Sequence, residues 1–319
     1  MTASGGADPV AARRTGARRW AIALIAVLIA AVVVVLLARL VRATPAGTAF
    51  VDRVPGAAPL PADAPVGFPA WLAWQHGLNA LFLLFTVRSG WRLHRAERPT
   101  MFWARRKDGR IRTAHPPVRI ALDLWSHYVG DTLWALNGIV FLVLLLVTGQ
   151  WVRIVPTDWA VVPAAVSAGL QYASLDWPTT DGWTDYNGLQ ALSYFVVVFL
   201  AGPVAVLTGL RLAPGFAARL RFLDRVLPLR ATKRIHWWTM LFLVAFTAVH
   251  VFLVLATGAV RNLNHLYALR DDASWAGAAV FAASLVVTAI AVLVLRPPLV
   301  RRAAAATGTV LERPARGRP

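Results

Sequence analysis

Six long apolar windows limit what this chain can become. They cover residues 20–42, 69–91, 123–150, 189–212, 235–258 and 275–296, each 22 residues or more. About 20 apolar residues at roughly 1.5 Å rise per residue cross a hydrocarbon core of about 30 Å. Inside that core every backbone N–H and C=O must be satisfied internally, which leaves helices or closed barrels. No segment alternates apolar and polar residues as a barrel strand does. The expected fold is therefore all-α, a polytopic membrane protein of six transmembrane helices. Composition agrees: 58% of the 319 residues are hydrophobic and 15% charged, outside the range of soluble domains. The first window is too long for a signal-peptide core and lacks a small-x-small cleavage site, so it reads as a retained helix. With no cysteine, disulfides, iron–sulfur clusters and thiolate metal sites are excluded on this chain.

The net charge of +18 invites a nucleic-acid reading, but its distribution speaks against one. Basic residues alternate from loop to loop, 27 on one set and 6 on the other. That is the positive-inside pattern, and it places both termini in the cytoplasm. The opposite loops carry Asp52, Asp63, Asp158, Asp176, Asp181, Asp185, Asp271 and Asp272. A nucleic-acid surface has no reason to alternate in register with apolar spans, so no nucleic-acid partner is expected. The basic inner loop 92–119 suits anionic lipid headgroups. Arginine outnumbers lysine 31 to 2, which suggests a high-GC bacterial genome and hence the inner (plasma) membrane.

His236 and His250 lie fourteen residues apart in one apolar window. On a helix this spacing puts both imidazoles on the same side, roughly 21 Å apart along the axis. Orientation then sets the depth of the other intramembrane histidines. His76 enters from outside with its window and lies at the level of His250. His127, one turn inside the third window, lies at the level of His236. Imidazole is a strong iron ligand, and two such pairs, one near each face, suit bis-histidine ligation of two b-type haems. A buried histidine also serves as a hydrogen-bonded structural residue, and that alternative stands beside the first. His94, His115 and His265 fall in loops and read as solvated. Asp131 follows His127 by four residues on the same helix face. It reads either as a proton or quinone site or as a hydrogen-bonded carboxylate at a wet inner vestibule. Gly77, Gly130, Gly138, Gly202 and Gly209 suit flat macrocycles or close helix packing. Trp125, Trp134, Trp237 and Trp238 suit haem edges or the membrane interface. Arg119 and Arg234 suit propionates or positive-inside flanks.

A family resemblance rests on four segments. DYNGLQALSYFVVVFLAGPVAVLTGLRLAPG (185–215) resembles the third core helix of bacterial cytochrome b561-like membrane subunits, which anchor formate dehydrogenases, nickel–iron hydrogenases and thiosulfate reductases. WQHGLNALFLLFTVRSGWRL (74–93) is similar to their first core helix, SHYVGDTLWALNGIVFLVLLLVTGQW (126–151) to the second, and RIHWWTMLFLVAFTAVHVFLVLATGAVRNL (234–263) to the fourth. The resemblance implies a four-helix haem-binding bundle with His76, His127, His236 and His250 as axial ligands of two haem b groups. It also implies an electron-transfer subunit between the quinone pool and a molybdopterin oxidoreductase, rather than an enzyme on its own. One departure stands out: an extra helix precedes the core, so the first core helix here runs from outside to inside. The expected organisation is a disordered basic tail and extra helix over 1–67, a di-haem core over 68–270, and a final helix with a basic tail over 271–319. A short helix is expected in DWAVVPAAVSAGLQYA, within the outer loop 152–188. The alternatives are a stand-alone quinol oxidoreductase of the cytochrome b561 type and a haem-free membrane transporter.

Overall fold

The computed structural model describes residues 9–95, 99–106, 117–178, 181–219 and 221–313. His115 lies outside the described residues. The elements are α1 (Pro9–Ala43), α2 (Pro45–Arg53), α3 (Ala70–Arg95), β1 (Met101–Arg105), β2 (Ile120–Ala121), α4 (Leu122–Val147) and α5 (Val161–Ala173). They continue with α6 (Gly188–Phe195), α7 (Gly202–Leu212), α8 (Pro214–Arg219), α9 (Leu229–Ala256), α10 (Ala259–Leu263), α11 (Ala276–Val294), α12 (Pro297–Thr307) and β3 (Gly308–Glu312).

Five helices are long and apolar enough to cross a membrane: Arg18–Ala43, Leu122–Val147, Gly188–Leu212, Leu229–Ala256 and Ala276–Val294. The remaining expected span, α3, has 26 residues but is not among them. Gln75, His76 and Asn79 lower its hydropathy, and this part of α3 packs on α4: Asn79 accepts from Trp134 Nε1 at 2.8 Å, and the Gln75 backbone carbonyl accepts from Asn137 Nδ2 at 3.3 Å. The span Gly188–Leu212 is helical throughout but widens to i→i+5 bonding over Val196–Ala201, just before Pro203. Proline has no N–H to donate to the preceding turn, and the wider turn absorbs that missing bond.

The chain divides into two compact units. The first comprises residues 1–60, 156–181 and 185–192. Here the expected short helix forms as α5 and packs beside α1 rather than lying free in a loop. Its Ser167 hydroxyl donates to the Val54 carbonyl at 2.5 Å, and Gln171 Nε2 donates to the Pro55 carbonyl at 3.0 Å. Asn187, 1% exposed, caps α6: its Oδ1 accepts from the Gln190 N–H at 2.9 Å, while Gln190 Oε1 accepts from the Asn187 N–H at 3.1 Å. This reciprocal bonding satisfies two donors that a bare helix end would leave open.

The second unit comprises residues 61–155, 182–184 and 193–319 and contains all four intramembrane histidines. Two expectations for the termini change. The N-terminal region is helical from Pro9. The region after residue 300, expected to be disordered, forms most of α12 and then β3, which completes a three-stranded antiparallel sheet of order β2-β1-β3. The β-favouring run Thr309–Val310–Leu311 suits a pairing strand, and Trp103 of β1 donates from Nε1 to the Ala304 carbonyl at 3.1 Å. The fold is thus mostly helical with a small sheet added, not purely α.

Candidate haem-binding site

Each end of α9 brings one histidine opposite another. At one end the rings of His250 and His76 on α3 have centroids 6.1 Å apart; at the other, those of His236 and His127 on α4 are 6.3 Å apart. Metal–imidazole bonds of about 2.0–2.1 Å and a ring radius of ~1.1 Å would put the centroids of two axial imidazoles roughly 6.2–6.4 Å apart. The two pairs have the partners expected from depth, and their separations suit one iron between each pair.

The surroundings of the pairs differ. The His76–His250 pair sits among aromatic rings. His250 stacks on Phe246 at 5.7 Å and meets Tyr194 edge-on at 5.9 Å, and His76 meets Tyr267 at 6.5 Å. The His127–His236 pair, called the inner pair after its expected side, is held by hydroxyls. Ser89 Oγ lies 2.9 Å from His127 Nδ1, and Thr208 Oγ1 lies 2.9 Å from His236 Nδ1. Each hydroxyl also lies within hydrogen-bond distance of a carbonyl of its own helix, Phe85 O at 2.8 Å for Ser89 and Val204 O at 2.6 Å for Thr208. With each hydroxyl donating to that carbonyl, its oxygen accepts from an Nδ1–H and Nε2 keeps its lone pair. That is the tautomer an Nε2-ligating imidazole needs. The donor set thus fits a metal held between the rings.

Asp131 is placed beside this inner pair. Its carboxylate oxygen lies 3.5 Å from His127 Nε2, long for a hydrogen bond. The Nε2 lone pair thus faces a carboxylate, an arrangement that any cation at Nε2, proton or metal, relieves.

The glycines divide by role. A Cβ on Gly90 would lie 3.1 Å from His127 Cε1, and one on Gly209 3.5 Å from His236 Cε1, so a bare backbone flanks each inner imidazole. Gly130 instead serves helix packing, since its Cβ would press on Thr86 of α3. Gly77 and Gly138 have open space around them, and at Gly202 a Cβ would meet the Val197 carbonyl of its own span at 3.3 Å. Among the tryptophans, Trp237 stacks on His94 at 4.1 Å, Trp134 donates to Asn79, Trp125 lies 6.5 Å from Trp103, and Trp238 is largely exposed. Arg119 and Arg234 are exposed.

Four side chains escaped the reading of the sequence. Ser89 and Thr208 looked like ordinary helix residues; their signal is that each precedes a glycine near the inner end of its helix. His265, expected in solvent, is 3% exposed and bonds Asp271 through Nε2 at 2.8 Å, with Trp183 at 5.4 Å. That bond holds the Asp271 carboxyl below its ordinary value, with Arg261 adding to the effect. Arg153, the one basic residue of its outer loop, is 2% exposed and ties down three carbonyls: Gly67 at 2.8 Å, Gly182 at 2.7 Å and Trp183 at 3.3 Å. His94 occupies the last turn of α3 and is exposed, as expected.

No family model matches the chain, and no solved structure matches it. A curated protein of Azospira oryzae, provisionally named protein-methionine-sulfoxide reductase subunit YedZ1, is similar to this chain. It is 28% identical over 199 residues, which cover 58% of this chain and 88% of that protein.

Proposed function

We propose that this chain is a di-haem b integral membrane electron-transfer subunit that connects the quinone pool to an oxidoreductase partner. The observation that carries the reading is the pair of imidazole couples, 6.1 and 6.3 Å between centroids, at the two ends of one membrane-length helix. His76 with His250, and His127 with His236, would hold the two irons. Bound there, two haems would supply a one-electron relay between the membrane faces. The chain's own work is to hold, orient and shield. α9 sets the spacing of the two couples at roughly 21 Å along its axis, Ser89 and Thr208 aim the inner Nε2 atoms, and Tyr194, Phe246 and Tyr267 surround the outer couple with apolar ring surface. Asp131 would line a quinone-headgroup site at the inner level.

The name of the Azospira oryzae relative supports a subunit role, since it describes part of a protein-methionine-sulfoxide reductase. The catalytic partner we propose is of the molybdopterin class, as the resemblance of the core helices implies. The chain would lie in a bacterial inner membrane, with membrane lipid and quinone as its other contacts.

The test is haem content. Protein purified from membranes of haem-supplied cells should carry two b-type haems per chain, low-spin and six-coordinate in both oxidation states. His76→Ala and His250→Ala should each remove one and the same haem, and His127→Ala and His236→Ala the other. A preparation with no Soret band would end the reading. Loss of different haems from His76→Ala and His250→Ala would show the pairing wrong.

A further inference from the structure

We infer that Ser89 and Thr208 are a matched pair of positioning residues, which fix the Nδ1–H tautomer of His127 and His236 and thereby set the redox potential of the inner haem. The inference rests on the di-haem reading. It starts from a local pattern that occurs twice in the second unit. A hydroxyl residue followed by glycine, Ser89–Gly90 on α3 and Thr208–Gly209 on α7, lies against a histidine of the next long helix, α4 or α9. In both copies the hydroxyl oxygen is 2.9 Å from Nδ1, the carbonyl four residues back lies within hydrogen-bond distance of the hydroxyl, and the glycine leaves room beside the same imidazole. Ordinary helix packing has no need for the same hydroxyl–Nδ1 contact and glycine neighbour on both sides of one histidine couple.

The outer couple lacks the device. Among the described residues neither His76 nor His250 makes a hydrogen bond; aromatic rings surround them instead. The consequence follows from elementary coordination chemistry. An Nδ1–H that donates a hydrogen bond raises the electron density at Nε2 and makes it a stronger donor to iron. A stronger donor favours the ferric over the ferrous state and lowers the potential of that haem. The two hydroxyls therefore act on the inner haem alone, and they do so through the ligands rather than by touching the cofactor.

Ser89→Ala and Thr208→Val remove one acceptor each, and Thr208→Ser keeps the hydroxyl while deleting a methyl group. The measurement is a potentiometric titration that resolves the two haems of the purified protein, with low-spin electron paramagnetic resonance g-values for the inner one. Ser89→Ala and Thr208→Val should each raise the inner midpoint, shift its g-values and weaken inner-haem retention by about 10–100-fold. The outer haem should not change, and Thr208→Ser should titrate like the unaltered protein. Loss of the inner haem in Thr208→Val with retention in Thr208→Ser also supports the inference. An unchanged inner midpoint, equal shifts in both haems, or a Thr208→Ser that behaves as Thr208→Val would overturn it. Failure of the unaltered protein to bind haem would instead defeat the di-haem reading itself.

Discussion

Arg153 is a buried charge that fixes the segment leading into α3, the helix that carries His76, and Arg153→Met should show its value. Two of its hydrogen bonds are short, to Gly67 O at 2.8 Å and Gly182 O at 2.7 Å, and the guanidinium sits 5.1 Å over the Phe68 ring. A hydrogen bond from a charged donor contributes about 1.5–3 kcal/mol net, and a desolvated cation–π contact about 0.5–2 kcal/mol. Methionine fills similar volume but offers no donor, so the Gly182 carbonyl loses its short bond and Gly67 keeps only a 3.4 Å contact from Gln150. The expected loss is about 2–6 kcal/mol, because two buried carbonyls lose their short donor at about 1–3 kcal/mol each. Arg153→Lys should recover only part of it, because one ammonium cannot reproduce a planar fork that spans two chain segments. Denaturant titration of the purified protein in detergent reads the stability, and resolved haem spectra read the local effect. The outer haem should be lost before the inner one, since Gly67 lies nine residues before His76. An Arg153→Met protein within about 0.5 kcal/mol of the parent, as for an ordinary surface substitution, would refute the reasoning.

Three further outcomes are expected. Gly90→Leu and Gly209→Leu put side chains beside the inner imidazoles, where even a Cβ would stand 3.1 and 3.5 Å from the rings; both should lose inner-haem absorbance and keep the outer. Asp271 has a carboxyl held below its ordinary value of 3.8 by His265, so its contribution is present above that value and is lost as pH falls through the lower, folded one. The stability gap between the parent protein and Asp271→Asn should therefore be constant at neutral pH and close only in acid below the ordinary carboxylate range; a gap that varies across neutral pH would refute the reasoning. Because 27 of the 33 basic residues fall on one set of loops, a reporter fused after residue 313 should be active only in the cytoplasm, and a tag in loop 152–188 should be reachable from outside intact cells. The reverse pattern would exchange the sides of the two couples.

The sequence by itself determined the features that depend on periodicity and solvent preference. Apolar length marks each of the five helices long enough to cross a membrane, because a backbone in hydrocarbon must close its own hydrogen bonds. The fourteen-residue interval between His236 and His250 was enough to put both on one face of α9, because helical rotation is a local property. α3 was legible as a helix, yet Gln75, His76 and Asn79 keep it outside the five apolar spans. Contacts between segments distant in the chain were decided only by the tertiary structure. The β-favouring run at Thr309–Leu311 is too short to form a strand until β1 offers its edge, because a lone β segment has no partner for its backbone groups. His265 read as a solvated loop residue and Arg153 drew no reading, because their burial comes from Trp183, Phe68 and the carbonyls at 67 and 182, none of which is a sequence neighbour of either residue. Ser89 and Thr208 are the clearest instance. A serine or threonine within a helix bonds its own turn in any protein, and only the approach of a second helix turns that satisfied hydroxyl into an acceptor that selects the protonated nitrogen of a histidine 38 residues away in one case and 28 in the other.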